Sequence, residues 1–416
     1  MHVRHPVWIR RVRTPGAEAF AILFTLESLS RALLATVIPL EAFALLGSAQ
    51  RVSILFFAVG VIGLCGSFAV PWLVRRTARR WVYSVGALLM LLACALLAVE
   101  TIPAQAAGMA VRALSVVSIT ICVNLYIMDN IARRDFGRAE PMRIFYSAGA
   151  WTLGPALGVM LSIEVAPWAP YALSAAFALA MLGYFWFLRM TDSPGLMRPR
   201  GRVSSPLSNL RGYFSRPRLV LAWLISASRN SWWAVFFIYT PIYAVQSGLG
   251  EFAGGLIVSL GTGFLFLMPL WGWCARRFGL RRVLIIGFSG AGIATVLVAT
   301  ASTVPWLAAA LLVAAALGMV TLDAVGNVPF MLAVKPRERP EMTAVYSTYR
   351  DAAELVPPGF FSLLLKAFEL PAVFAASGVL MLGAAVLCRN IHPRLGVLRT
   401  SVSPPRPEVA LGRNEI

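Results

Sequence analysis

The chain has few of the residues on which metal sites and acid–base catalysis depend. Of its 416 residues three are histidine and five are cysteine, and Lys335 and Lys366 are its only lysines. The histidines, His2, His5 and His392, lie outside the long hydrophobic runs, which excludes a histidine proton relay or a buried histidine metal site. The cysteines are far apart and lie within or at the ends of apolar runs, a pattern typical of packing rather than of disulfides. We therefore expect no metal and no cofactor.

Charge is scarce as well. Charged residues make up 13% of the chain, 59% are hydrophobic, and the mean hydropathy is +0.75. Apolar runs of the length that crosses a bilayer, about 20 residues, recur along the whole chain. A transmembrane β-barrel would show short alternating segments instead. The composition therefore predicts an all-α, multi-pass membrane protein. No G-x-x-x-x-G-K-[ST] loop is present, which argues against an ATP-driven pump.

Acidic residues number 18 against 37 basic ones, so the net charge is +19. The arginines cluster on alternate loops, such as RRTARR at 75–80 and RRFGLRR at 276–282, whereas loops such as ETIPAQ at 100–105 have none. Arg51 and Lys366 are the exceptions. This alternation indicates membrane topology rather than nucleic-acid binding, and it predicts that both termini and the long central loop are cytoplasmic. The arginine bias also suggests a bacterial inner membrane.

Twelve apolar runs can be marked. The run nearest the N-terminus is too long for a signal peptide and no small-residue cleavage site follows it, so we expect it to be retained as the first span. The predicted spans are 18–47, 52–74, 81–99, 104–128, 143–165, 168–189, 217–246, 252–274, 283–302, 305–333, 343–367 and 370–388. The predicted organisation is a cytoplasmic segment 1–17, a six-helix bundle 18–189, a linker 190–216, a second six-helix bundle 217–390 and a flexible tail 391–416.

The two halves repeat at an offset of about 200 residues. EPMRIFYS at 140–147 matches PEMTAVYS at 340–347, the two arginine-rich loops correspond, and Pro39 aligns with Pro241. Two six-span halves repeated in parallel are an architecture of secondary transporters.

With these features the chain resembles the major facilitator superfamily. PWLVRRTARR at 71–80 and GWCARRFGLRR at 272–282 are similar to its loop signature, although the signature's acidic position is arginine in both copies. AWTLGPALG at 150–158 resembles a G-x-x-x-G-P-x-x-G element common in the superfamily's exporters, with ordinary helix packing as the alternative. The resemblance implies conformational gating by Arg75, Arg76, Arg79, Arg80, Gly154, Pro155, Gly158, Arg276, Arg277 and Gly279; Asp129 is a candidate replacement partner for the first arginine cluster.

Several spans carry charges, which are costly at bilayer depth unless they pair or face water. Glu27, Arg31 and Glu41 fall on one stripe of span 1 at about 100° per residue, and the first two are an i,i+4 pair. The resemblance implies that spans 1, 4, 7 and 10 line a central cavity. Span 11 adds Arg350, Asp351 and Glu354. We expect Asp323, Arg350 and Glu354 to cluster opposite Glu27 and Arg31.

These charges have two interpretations, static salt bridges or proton coupling. For coupling the candidates are Glu27, Asp323 and Glu354, with Glu41 less favoured because it lies near the membrane surface. The predicted substrate-binding residues are Arg31, Arg112, Arg229, Asn230, Trp233, Tyr239, Asn327 and Arg350. The aromatic residues among them have packing as an alternative role.

The prediction is a monomeric, non-enzymatic secondary transporter. Its partners would be a small-molecule substrate, protons and the lipid bilayer, with no nucleic acid. The first hypothesis is a proton antiporter that exports an amphipathic or drug-like compound. The second is a proton-coupled importer of an anionic metabolite, with the arginines as anion clamps. The third is a non-transporting receptor or scaffold, which would have no need of charges inside its spans.

Overall fold

The structure is a computed structural model that describes residues 17–130, 136–188, 206–334 and 339–392. Within these ranges every regular element is a helix. Parts of the predicted segments 1–17, 190–216 and 391–416 lie outside them, so the domain limits stay a prediction.

The first half of the chain forms six spans. Its helices are α1 (Ala17–Ala32) and α2 (Leu34–Leu46), which together make span 1, then α3 (Ala49–Arg76), α4 (Arg79–Leu97), α5 (Ile102–Asn130), α6 (Phe136–Glu164) and α7 (Ala169–Phe187). A short helix, α8 (Pro206–Phe214), precedes the second half.

The second half repeats this arrangement. Its helices are α9 (Pro217–Gln246), α10 (Glu251–Gly263) and α11 (Met268–Phe278) for spans 7 and 8, α12 (Leu280–Thr300), α13 (Pro305–Val325) with α14 (Val328–Ala333), α15 (Arg339–Leu364) and α16 (Pro371–Leu387). A 3-10 turn, Phe264–Leu267, joins α10 to α11. The predicted all-α fold of twelve spans in two bundles is confirmed.

Nine helical segments among the described residues are long and apolar enough to cross a membrane by composition. Helices α6, α9 and α15 fall outside that set. Two of them hold charged residues from the predicted site: Arg229 lies in α9, and Arg350 and Glu354 lie in α15. Their polarity is therefore an exception that requires a partner or a polar space inside the protein.

Span 1 is interrupted at Leu33, where α1 ends and α2 begins. The interruption packs on α6, because a Cβ on Gly158 would lie 1.9 Å from the Leu33 carbonyl oxygen and a Cβ on Gly154 would lie 2.7 Å from Ala32 Cβ. Leu33 keeps helical dihedral angles, φ −54° and ψ −37°, so the stripe predicted for span 1 stays a prediction. Glu41, in α2, accepts a hydrogen bond from the Tyr171 hydroxyl of α7.

The two bundles meet mainly along two helix pairs, α6 with α10 and α3 with α15. We call them seam 5/8 and seam 2/11 after their span numbers. We call the end of the molecule that carries the arginine loops at 75–80 and 276–282 the basic end, and the other the opposite end. Helices α11 and α14, at the basic end, have no comparable contact with the first bundle among the described residues. The bundles are thus joined from mid-membrane to the opposite end.

Candidate transport site

The first bundle contributes a pair of charges from α1. Glu27 is 3% exposed, and its Oε1 lies 3.1 Å from Nη1 of Arg31. The local helix geometry explains the pair, since residues four apart share a face. Arg112, from α5, donates from Nη2 to the Arg31 carbonyl oxygen at 3.5 Å. The Arg31 guanidinium lies 6.0 Å from the ring centroid of Trp151, in α6. Arg31 and Arg112 are therefore neighbours, and Arg31 is paired with a carboxylate of its own helix.

The second bundle contains a separate ion pair. Nε of Arg229 in α9 lies 3.2 Å from Oδ1 of Asp323 in α13, and both side chains are largely buried. Trp233 donates from its indole nitrogen to Oδ2 of the same carboxylate at 2.9 Å. Arg229 also lies 3.5 Å from Oδ1 of Asn327 and 3.4 Å from the Leu322 carbonyl oxygen. This network fixes the arginine within one bundle.

Three residues outside the predicted site complete this network. The Tyr346 hydroxyl of α15 donates to Asn327 Oδ1 at 2.9 Å and also hydrogen-bonds with Ser226 of α9. A Cβ on Gly326 would lie 2.6 Å from Nη1 of Arg229, so glycine leaves the space that the guanidinium needs. The internal repeat had marked Tyr346, but sequence spacing gave no sign that it reaches Asn327.

Glu354 links the two groups of charges. It lies in α15 of the second bundle and is within electrostatic range of Arg31 and Arg112 in the first bundle, and of Arg350 in its own helix. Its side chain is accessible by surface area, and its backbone lies against Gly60 of α3 in the first bundle. We therefore place it at the space between the bundles. The structure divides the expected second-half cluster, because Asp323 pairs with Arg229 and Glu354 faces the first bundle.

Seam 2/11 lies beside this carboxylate. Ser67 of α3 donates to Oδ1 of Asp351 in α15 at 3.1 Å. Closer to the opposite end, the α15 backbone approaches Gly60, and Gly359 packs on the ring of Phe57. Seam 2/11 therefore contains ionisable groups in direct contact with the other bundle.

Seam 5/8 has no charged contact of this kind among the residues described. Its polar contacts run from Ser259 and Thr262 of α10 to the backbone of α6 around Pro155. The rings of Phe145 and Phe266 meet edge to face, 6.0 Å apart, on the side toward the basic end.

The sequence model of the Major Facilitator Superfamily matches residues 20–266 and again 255–411. The chain belongs to the Major Facilitator Superfamily. Two successive matches agree with the two repeated bundles. No curated protein matches the chain.

Solved transporters share the fold of this superfamily member at low sequence identity. The nucleoside transporter NupG, as a mutant, is 12% identical with a TM-score of 0.71, over 90% of this chain and 98% of that one. A POT family transporter in complex with 5-aminolevulinic acid is 13% identical with a TM-score of 0.73, over 91% and 96%. The peptide transporter POT in complex with sulfate is 14% identical with a TM-score of 0.71, over 94% and 96%. These likenesses show the fold, and with the family match they make the chain a multi-pass membrane transporter.

The remaining substrate-binding candidates of the transporter occupy different environments. Tyr239 is fully buried, its ring packs on Phe361, and its hydroxyl lies 2.8 Å from Ser53 Oγ of α3, across the bundle boundary. Asn230 is partly buried in α9. Arg350 is exposed and lies beside Tyr349, with Nε 3.4 Å from its hydroxyl. In this state Tyr239 therefore joins the bundles at the opposite end.

The gating candidates lie in two regions of the transporter. Gly154, Pro155 and Gly158 lie in α6, where the two glycines allow the backbone of span 1 to pack closely against the helix. At the basic end the Arg76 guanidinium stacks 4.0 Å from the Trp72 ring centroid, Arg79 is buried, and Arg80, Arg276 and Arg277 are exposed. Gly279 has φ +89° and forms the turn between α11 and α12, a conformation that favours glycine. The side chains of Arg75 and Asp129 are outside the described part, so their contact stays a prediction.

Proposed function

We propose that this protein is a proton-coupled secondary transporter that moves a small amphipathic molecule outward by alternating access. The observation that carries the proposal is Glu354, a carboxylate in seam 2/11 of the second bundle, which lies within electrostatic range of Arg31 and Arg112 of the first. The two bundles must move apart during transport. A proton on Glu354 would weaken the electrostatic attraction that opposes this movement.

The proposed coupling follows from charge. When Glu354 is ionised, it attracts the two arginines and so draws α15 toward the first bundle. When Glu354 takes a proton, this attraction is lost and the arginines are left for a substrate group or for water. A carboxylate in a span is costly unless such a partner or water is near. Proton binding and bundle movement are then linked through one side chain.

Glu27 and Asp323 have a different part in this proposal. Each holds an arginine of its own bundle, Arg31 at 3.1 Å and Arg229 at 3.2 Å. A proton on either carboxylate would release that arginine. We therefore propose that Glu27 and Asp323 contribute to proton coupling by positioning these arginines. The candidate contacts to the substrate are Arg112, Trp233, Asn327 and Arg350.

Export is supported by the α6 element. Gly158 lets the interrupted span 1 approach α6 to a distance that no Cβ would allow, and Pro155 opens the helix beside it. The arginine bias of the loops supports a cytoplasmic location for the basic end. The bundles part at that end in this state, so the transport site would be reached from the cytoplasm, as an exporter requires for loading.

A second candidate is import of an anionic metabolite with protons. It is favoured by the neighbouring Arg31 and Arg112, which an anionic group could bind once Glu354 is protonated. The two candidates differ in the substrate and in whether it moves against the protons or together with them.

Everted membrane vesicles with a proton gradient test both candidates. Their interior is acidified by respiration and the gradient is followed with a fluorescent amine while compounds are added. For the antiporter, amphipathic compounds dissipate the gradient, and Glu354→Gln reduces this response about tenfold or more because a step of the coupling is lost. Glu251→Gln, at the exposed start of α10, is the matched control and keeps the response.

Other results redirect or refute the proposal. Gradient-driven uptake of carboxylates into right-side-out vesicles, with no response to amphipathic compounds, supports the second candidate. An undiminished response of Glu354→Gln would contradict the role of this carboxylate in either direction.

A further inference from the structure

Pro155 leaves one carbonyl group of α6 without its helical partner. Proline has no N–H, so the carbonyl oxygen four residues earlier, on Trp151, receives no hydrogen bond from position 155. Inside a bilayer a backbone group without a partner is strongly unfavourable. A donor from outside the helix is therefore needed at Trp151.

The donor comes from the other bundle. Oγ1 of Thr262 in α10 lies 2.7 Å from the Trp151 carbonyl oxygen. It also lies 2.9 Å from the Val258 oxygen and 3.1 Å from the Ser259 oxygen of its own helix. A hydroxyl has one proton to give, and the helix backbone already serves the carbonyls within α10. The Trp151 oxygen is the nearest of the three and the one that proline has left open.

A second contact lies one turn away on the same face of α10. The N–H of Ala156, the residue after the proline, donates to Oγ of Ser259 at 2.9 Å. Farther along, Gly255 allows the two helices to touch, since a Cβ there would lie 3.0 Å from the Pro155 carbonyl oxygen. Gly255, Ser259 and Thr262 are spaced by four and three residues, which puts them on one helix face.

Within the first bundle the proline is held by a different residue. Thr36 of α2 donates to the Pro155 carbonyl oxygen at 2.9 Å. Span 1 therefore fixes the open part of α6 from one side, and α10 binds it from the other. Only the second of these contacts crosses between the bundles.

We propose that Ser259 and Thr262 are positioning residues that dock α10 onto the backbone opened by Pro155, and that this docking keeps the bundles together on the side of the opposite end. The proposal rests on alternating access as the proposed function, because the contact must form and break in each cycle. Neither residue needs to touch the substrate. The pairing is selective, since an uninterrupted α6 would offer Thr262 no free carbonyl.

The test measures a distance and needs no substrate. Spin labels are attached at the exposed positions Val165→Cys and Phe368→Cys, which follow the last residues of α6 and α15 at the opposite end of the molecule. Cys65 and Cys274 are first replaced by serine, and the other cysteines are buried. We expect Thr262→Val to raise the population with separated labels about fivefold, as the loss of one hydrogen bond implies.

Three further variants make the result specific. Thr262→Ser keeps a hydroxyl and restores the distribution of the unmodified protein. Thr240→Val is the matched control, because Thr240 is fully buried in α9 and its hydroxyl has no hydrogen bond within the described structure. In a Pro155→Ala background the new N–H serves the Trp151 carbonyl, so Thr262→Val changes the distribution little.

Two outcomes would overturn the inference: equal effects of Thr262→Val and Thr240→Val, or an effect of Thr262→Val that is the same with and without Pro155. Either would mean that Thr262 only fills space. Failure of the coupling proposal alone would appear in the vesicle assay and leave these distances as expected.

Discussion

Seam 5/8 and seam 2/11 are counterparts in the internal repeat, yet they are built from different chemistry. In seam 5/8 neutral hydroxyls of Ser259 and Thr262 meet neutral backbone groups of α6. In seam 2/11 the hydroxyl of Ser67 meets the carboxylate of Asp351, and Glu354 lies one helical turn farther along α15. The prolines in the middle of these helices differ too, with Pro155 in α6 and the adjacent pair Pro357 and Pro358 in α15.

The difference assigns distinct tasks to the two seams. A contact between neutral groups keeps its strength whatever the pH, so the strength with which seam 5/8 closes does not depend on a proton. A hydrogen bond to a carboxylate is strongest while the acid is ionised, so seam 2/11 responds to a proton. The two bundles are related by the repeat, but protonation would weaken only seam 2/11 and leave seam 5/8 unchanged.

The largest effect is expected from forcing seam 5/8 apart. Gly255→Leu places a side chain where even a Cβ would lie 3.0 Å from the Pro155 carbonyl oxygen. Overpacking of this kind costs about 1–3 kcal/mol, so we expect transport to fall about tenfold or more and the spin labels to separate. Gly290→Leu in α12 is the control, since a Cβ there meets nothing within 4 Å. Equal losses in both variants would show that leucine harms the protein irrespective of the seam.

An intermediate effect, dependent on pH, is expected in seam 2/11. Ser67→Ala removes a hydrogen bond to a charged group, worth about 1.5–3 kcal/mol. The population with separated labels should rise about tenfold where Asp351 is ionised. The effect should shrink as the pH falls and the carboxylate gains a proton, because the neutral acid accepts more weakly. Thr262→Val should raise the population with separated labels by the same factor at every pH. If the two variants showed the same pH dependence, the two seams would not differ in their response to protons.

The smallest effect is expected at Gly60. A Cβ there would lie 3.4 Å from the Glu354 carbonyl oxygen, an ordinary contact distance. Alanine is also preferred to glycine inside a helix by about 0.5–1 kcal/mol. Gly60→Ala should therefore transport like the unmodified protein, with an unchanged or slightly higher unfolding temperature. A clear loss of stability would mean that seam 2/11 is packed as tightly as seam 5/8.

Sequence reasoning succeeded where the information was local. Glu27 and Arg31 pair because residues four apart on a helix are neighbours. It could not foresee the close approach of span 1 to Gly154 and Gly158 around Leu33. Nor could it foresee that Glu41 bonds with Tyr171 of α7, because that partner lies 130 residues away along the chain.

The sequence by itself determined the membrane class, the twelve spans, the repeat and the family, because these depend on length, composition and order along the chain. Only the tertiary structure decided which charges meet. Asp323 pairs with Arg229, Glu354 comes within electrostatic range of Arg31 and Arg112, and Thr262 reaches the carbonyl that Pro155 leaves open. Periodicity fixes the face of a helix on which a side chain lies, whereas the neighbour that this face meets is set by how twelve helices pack together.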